Sequence, residues 1–197
     1  MIKLIEKNIN TPEYWNSIYD KEISNNKYRI ESERFEKVTN MIQDGSVVLD
    51  VGCGTGEFVN FLHSKKEKCV ITGIDFSNIA IEEAKKRNPK CIFFTQDAME
   101  ISKTFNDIDY VISFETLEHL SNPSSFINEI YKTLKKGGVL FLSMPYNNNV
   151  TGGDEHIYSF IFQDMVDYFE KSKIWTLIVI MRYSENLKNM MVITKKT

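Results

Sequence analysis

Glu115-Thr-Leu-Glu118-His119 brings two carboxylates and an imidazole together within one short string. At spacing i, i+3, i+4 the three polar side chains share one face if the segment is helical. The chain holds only three histidines, so a second imidazole downstream, His156, adds to the same constellation. Glu115, Glu118, His119 and His156 form a mixed oxygen and nitrogen donor set that suits a divalent cation such as Mg, Mn, Fe or Zn. The same residue types serve proton transfer, and Glu115, His119 and His156 are the candidate catalytic groups. The string leaves another reading open: both glutamates solvated or structural, with His119 alone acting as a base or a capping residue.

A second constellation lies upstream. Residues 48–58 read Val-Leu-Asp-Val-Gly-Cys-Gly-Thr-Gly-Glu-Phe, with glycines at alternate positions 52, 54 and 56. The preceding Val47, Val48, Leu49 and Val51 are the pattern of a buried parallel strand. Glycine there lets the backbone turn sharply and lets a ligand approach the main chain where a Cβ would collide. Strand, glycine turn and helix together make the nucleotide crevice of an open α/β sheet. Dinucleotide sites favour G-x-G-x-x-G, because a helix N-terminus must hold a pyrophosphate. Here the spacing is G-x-G-x-G with Asp50 before the first glycine. An acid also ends the next strand: Asp75, nineteen residues past Gly56, is placed to accept both ribose hydroxyl protons of a nucleoside.

The elements that must position these groups alternate regularly. Strands are expected at 47–51, 69–74, 91–94, 108–113, 139–144, about 174–181 and 189–194. Helices are expected over about 56–66, from the Ser77 cap to Arg87, over about 123–135 and over about 161–170. Lys135-Lys136-Gly137-Gly138 reads as a helix C-terminus with complementary charge. The first 46 residues read as two helices. One starts at Thr11-Pro12-Glu13 and carries the aromatic stripe Tyr14, Trp15 and Tyr19; polar residues 20–31 read as a loop. The second spans Ser32 to Ile42, with Phe35, Val38, Met41 and Ile42 on one face. The alternation predicts an α/β fold with a doubly wound, mostly parallel sheet. Strands 47–51 and 108–113 meet at the switch point, so residues 113–119 should face a bound ligand. His156 falls in the loop 146–158, on the same rim.

At Asp50 and the three glycines the chain resembles the class I S-adenosylmethionine-dependent methyltransferases, whose first motif reads hhDhGxGxG. The resemblance covers roughly residues 32–195. It implies a Rossmann-like methyltransferase fold of seven strands in order 3-2-1-4-5-7-6 with strand 7 antiparallel. It implies S-adenosyl-L-methionine as cofactor, held by Asp50, Gly52, Cys53, Gly54, Gly56, Asp75, Phe76, Asp97, Ala98 and Phe114. Asp97 stands where the family places the acid that bonds the adenine amino group. Residues 1–46 would form a helical lid over a cofactor-binding domain at 47–197. The E-x-x-E-H string with a distant His also resembles the metal site of RNA 3′-terminal 2′-O-methyltransferases and of part of the quinone-biosynthesis O-methyltransferases. The reaction implied is O-methylation of a small hydroxylated molecule of the sugar or phenol/quinone type.

Bulk properties narrow the partners. A chain of 197 residues with net charge −3 is an ordinary single-domain length and has no general attraction to polyanions, which argues against nucleic acid. The basic extension usual in the RNA enzymes is missing. Cys53, Cys69 and Cys91 match no zinc spacing and read as free thiols of a reducing, cytoplasmic protein. The longest apolar run, Trp175 to Met181, is too short to span a bilayer. Three other functions stay open: the RNA 2′-O-methyltransferase, a catalytically inactive scaffold that keeps the cofactor fold, and an NAD-dependent dehydrogenase, against which the glycine spacing speaks.

Overall fold

Near-continuous aliphatic runs such as Val47–Val51 belong on strands buried on both faces, and that is where they lie in the computed structural model of the chain. The structure describes residues 1–4, 8–28, 32–146, 155–183 and 189–197. Most of the glycine- and asparagine-rich part of the 146–158 loop therefore lies outside the described residues.

The main sheet contains β2 (Val47–Val51), β3 (Val70–Asp75), β4 (Ile92–Thr95), β5 (Ile108–Phe114), β6 (Leu134–Pro145), β8 (Trp175–Tyr183) and β9 (Asn189–Lys196). Its order is β4-β3-β2-β5-β6-β9-β8. β9 alone runs antiparallel to its neighbours β6 and β8. Counted within this sheet, that is the expected order 3-2-1-4-5-7-6. The chain reverses direction of winding between β2 and β5, which pair in parallel from Val48↔Tyr110 to Asp50↔Ile112. The switch point therefore falls where the two sequence constellations were expected to meet.

Helices cover both faces. They are α1 (Pro12–Ser24), α2 (Ser32–Met41), α3 (Glu57–Lys65), α4 (Asn78–Arg87), α5 (Pro123–Thr133) and α6 (Phe162–Lys171). One buried cluster, with Phe126, Ile130, Phe160 and Phe169, lies on one face of the sheet. The other, with Phe35, Phe58, Leu62 and Phe93, lies on the opposite face. Each fully buried aliphatic or aromatic side chain contributes about 1.5–3 kcal/mol.

Several elements differ from the sequence reading. α1 does not yield to a loop at residue 20; it continues to Ser24, because Lys21, Glu22 and Ile23 are adequate helix formers. α5 stops at Thr133 and β6 begins at once, so Lys135 to Gly138 belong to the strand and do not cap the helix. The last carbonyls are satisfied from elsewhere: the Lys196 ammonium donates to the carbonyls of Tyr131 (2.7 Å) and Leu134 (2.6 Å). Lys135 pairs instead with Asp109. Met41, expected on the buried face of α2, is 45 % exposed. A small sheet was not foreseen: β1 (Ile2–Lys3) pairs antiparallel with β7 (Tyr158–Ser159). Short 3-10 turns at Ala98–Lys103 and Leu117–His119 complete the rim. Among the described residues no helix is long and apolar enough to cross a membrane.

Candidate active site

The glycine loop is built from the backbone outward. The amides of Gly52 and Cys53 both donate to the Ile74 carbonyl, at 2.8 and 2.9 Å, so the loop is tied to β3 as it leaves β2. Gly52, Gly54 and Gly56 all hold positive φ, of 77°, 53° and 80°. A Cβ on Gly52 would lie 2.2 Å from Thr116 Oγ1, so the bend also makes room for the segment after β5. Gly56 serves as the N-cap of α3 in left-handed conformation. The candidate catalytic, metal-ligating and cofactor-binding residues named from the sequence all line one cavity of about 870 Å³, with the exception of Gly56.

Two carboxylates are buried beside the loop. Asp75 accepts from the Gly54 amide (3.0 Å) and from the Ser77 amide (2.9 Å). Burial raises its pKa to about 6 against the lowering pull of those amides. Asp50 is raised to about 8, first by burial and then by the Asp75 carboxylate. Phe76, Asp97 and Ala98 line the adjoining wall. Asp97 caps the 3-10 turn by accepting from the Met99 amide at 2.8 Å. Phe114 faces the cavity but is also packed edge-on against Phe58, with centroids 5.1 Å apart. The Cys53 thiol is buried, which pushes its pKa up and makes it inert as a nucleophile.

The E-x-x-E-H string divides. Glu118, His119 and His156 offer ligand atoms that all lie within 4.8 Å of one another. Glu118 is 1 % exposed, and among the described residues neither carboxylate oxygen has a hydrogen-bond partner. Burial, and next the neighbouring Glu115 carboxylate, push its pKa well above the usual range. His156 Nδ1 is also buried with no hydrogen-bond partner among the described residues, and burial lowers the pKa of that imidazole, which favours its neutral form. A buried carboxylate that accepts no hydrogen bond among the described residues, facing two imidazoles, is costly unless a cation joins them. These donors fit a divalent ion. Glu115, proposed from the sequence as a fourth ligand, is turned aside by φ +50° and by other bonds. Its Oε1 accepts from Arg34 Nη1 (2.8 Å) and from Ser143 Oγ (2.8 Å).

Arg34 escaped the sequence reading. It sits 5 % exposed on α2, bonds Ser143 Oγ at 2.8 Å and lies 4.4 Å over the Phe114 ring. No local pattern announces it, because its partners are remote in sequence. Ser143 did carry a signal: it is a lone polar residue inside an aliphatic strand. Tyr14, Trp15 and Tyr19 line the cavity from α1, and Trp15 meets His119 edge-on with centroids 4.9 Å apart. His63 lies half-buried on α3 and does not line the cavity.

A doubly wound sheet of this order, with a glycine bend at the switch point and an acid ending the next strand, is the architecture of class I S-adenosylmethionine-dependent methyltransferases. The chain belongs to the methyltransferase domain family, whose model matches residues 24–188. It is 33% identical over 124 residues to the mitochondrial ubiquinone biosynthesis O-methyltransferase of Candida albicans, covering 59% of this chain and 38% of that protein. It is 30% identical over 125 residues to (S)-tetrahydroprotoberberine N-methyltransferase of Eschscholzia californica, covering 58% of this chain and 35% of that one. The chain thus spans little more than a third of the length of these two curated relatives. Among solved structures, magnesium protoporphyrin IX methyltransferase from Synechocystis, with bound SAH, superposes with a TM-score of 0.74 at 15% identity, covering 94% of this chain and 98% of that one. That likeness concerns the fold.

Proposed function

We propose that the protein transfers the methyl group of S-adenosylmethionine to a hydroxyl oxygen of a small phenol, quinol or sugar, with a divalent cation held by Glu118, His119 and His156. The observation that carries this reading is Glu118: a fully buried carboxylate whose oxygens accept no hydrogen bond among the described residues, beside two imidazoles, on the rim of the cavity that contains the glycine loop. An amine attacks through its own lone pair, whereas a hydroxyl must also lose a proton. The donor set therefore favours an oxygen acceptor, although one relative is described as an N-methyltransferase.

A divalent cation bound there would supply Lewis-acid polarisation of the acceptor hydroxyl. The chain's own residues do the rest. The bare glycine bend leaves room along the main chain for the cofactor's methionine portion, beside Asp50. Asp75 is placed for the ribose and Phe76, Asp97 and Ala98 for the adenine. A cavity of about 870 Å³ has room for both reactants side by side. Glu115 lines the same cavity, held through Oε1 by Arg34 and Ser143, and is our candidate to accept the acceptor's proton. Tyr14, Trp15 and Tyr19 roof the space and keep water from the reacting atoms. Correct alignment alone lowers the barrier by up to about 7–11 kcal/mol.

Methyl transfer to a catechol, measured with and without a chelator, tests the reading. The expected result is turnover lost on chelation and restored by added cation, with S-adenosylhomocysteine still bound by the chelated protein at an affinity no more than about tenfold weaker. Glu118→Gln and His156→Ala should lose turnover in the same way. Undiminished turnover in excess chelator would leave these groups an acid–base role only.

A further inference from the structure

The segment that carries His156 is held by the N-terminal residues of the chain. The Ile157 amide donates to the Glu118 carbonyl at 2.8 Å, and the Leu4 amide donates to the Ile157 carbonyl at 2.7 Å. β1 continues the attachment, pairing Lys3 with Tyr158 and Ile2 with Ser159. Asn10 then reaches across to the residue before His156. Its Nδ2 donates to the Glu155 carbonyl at 2.8 Å, and its Oδ1 accepts from Trp15 Nε1 at 3.0 Å. The other Nδ2 hydrogen goes to Asn8 Oδ1 at 2.9 Å. These partners fix which way the amide points, because an indole N–H only donates and a carbonyl only accepts.

The Glu155 carbonyl has a second neighbour. His119 Nδ1 lies 3.1 Å from it. A carbonyl accepts, so Nδ1 carries a hydrogen; in the neutral ring Nε2, 3.7 Å from Glu118 Oε1, is then the nitrogen with the lone pair. One carbonyl thus receives two donors, Asn10 from the N-terminal segment and His119 from the cluster. When the carbonyl stays in place, the tautomer of His119 and the seat of His156 stay with it. Through Trp15, the same amide joins this arrangement to the aromatic face of α1.

We propose that Asn10 is a positioning residue for the Glu118–His119–His156 cluster, setting the tautomer of His119 and the placement of His156 through the Glu155 carbonyl. This rests on reading the cluster as a cation site. Ligand histidines are oriented by the group that receives their other N–H, and loss of such a partner lowers metal affinity by about 10–100-fold. Here Asn10 holds that receiving group.

Cobalt(II) is the probe, since its visible absorption reports ligand geometry without any need for turnover. Asn10→Asp keeps the acceptor for Trp15 but loses the donor to Glu155; Asn10→Ala loses both. Both variants should bind cobalt(II) about tenfold or more weakly and with an altered spectrum, while S-adenosylhomocysteine affinity, measured without metal, stays within about twofold. Trp15→Phe keeps a ring and loses only the N–H, and should shift cobalt(II) affinity in the same direction by less; it carries the test if the Asn10 variants do not fold. Wild-type cobalt(II) affinity and spectrum in all three variants would overturn the role of Asn10 and leave the cation site standing. A parallel fall in S-adenosylhomocysteine affinity would also overturn it, indicating general loosening of the N-terminal segment. A wild-type protein that takes up no cobalt(II) would sink the cation site and this proposal together.

Discussion

Asp50 and Asp75 are both removed from water on adjacent strands, and the Asp75 carboxylate makes Asp50 harder still to ionise. The sign of the consequence is definite. With its pKa raised from 3.8 to about 8, folded Asp50 keeps a proton that the unfolded chain has already lost. Its contribution to stability is therefore greatest in acid and declines as pH rises from about 4 to about 8. Asp75 adds a smaller decline that ends near pH 6. Urea titrations of the ligand-free protein at pH 5, 7 and 9 should give a falling stability for wild type and a flatter profile for Asp50→Asn. Identical profiles would mean that Asp50 is solvated in the folded state. The residue types of this pair were legible, because strand, acid and glycines are contiguous. What no local pattern could supply was the division of Glu115 from Glu118. They stand three apart, yet Glu115 meets Arg34 and Ser143 while Glu118 is buried with no hydrogen-bond partner among the described residues. That outcome depends on side chains brought in from α2 and β6.

Arg34 also governs how α2 is fastened to the sheet. One guanidinium nitrogen serves both Glu115 Oε1 and Ser143 Oγ, and its flat face lies over Phe114. Arg34→Ala should cost about 2–4 kcal/mol, less than a wholly buried pair because the Glu115 side chain is 24% exposed. Arg34→Lys should recover only part of this, since an ammonium has neither the fork nor the flat face. Denaturant melts of both variants check the order; a lysine variant as stable as wild type would mean that charge alone matters. α1 is fastened differently. It has no buried residue, and Ser77, the N-cap of α4, donates to Asn16 Oδ1 at 2.6 Å while accepting from the Ala80 amide. Ser77→Ala should therefore cost about 1 kcal/mol for the cap, and in addition release α1, seen as a change in Trp15 fluorescence. The elements themselves were readable where apolar runs were long or caps were local, as at Thr11 and Ser77. Lys135-Lys136-Gly137-Gly138 misled because carbonyls at the junction of α5 and β6, those of Tyr131 and Leu134, are met by Lys196, a residue remote in sequence. β1 and β7 are two residues each, too short for any pattern to register.

Across the whole molecule, the glycine bend and the Glu118–His119–His156 cluster follow different strands, yet one helix reaches both. Tyr19 lies against Gly54, where a Cβ would meet its hydroxyl at 3.0 Å, and Trp15 lies edge-on to His119. The sheet order could be anticipated from the alternation of strands and helices, but this bridging could not, because it depends on where α1 comes to rest. A segment without buried residues sits at the low end of local stability, so ordering it is a cost that either ligand must meet. Once one ligand has ordered α1, the second binds to a roof already in place, and the two should bind with positive cooperativity. The coupling is expected to be about five- to tenfold and must be reciprocal. Calorimetric titration of S-adenosylhomocysteine with and without zinc, and of zinc with and without S-adenosylhomocysteine, should therefore return the same factor. Trp15→Ala should bring that factor toward one while leaving the intrinsic affinity for S-adenosylhomocysteine nearly unchanged. Equal affinities in the presence and absence of the partner ligand in the wild-type protein would mean that α1 is already fixed before either arrives.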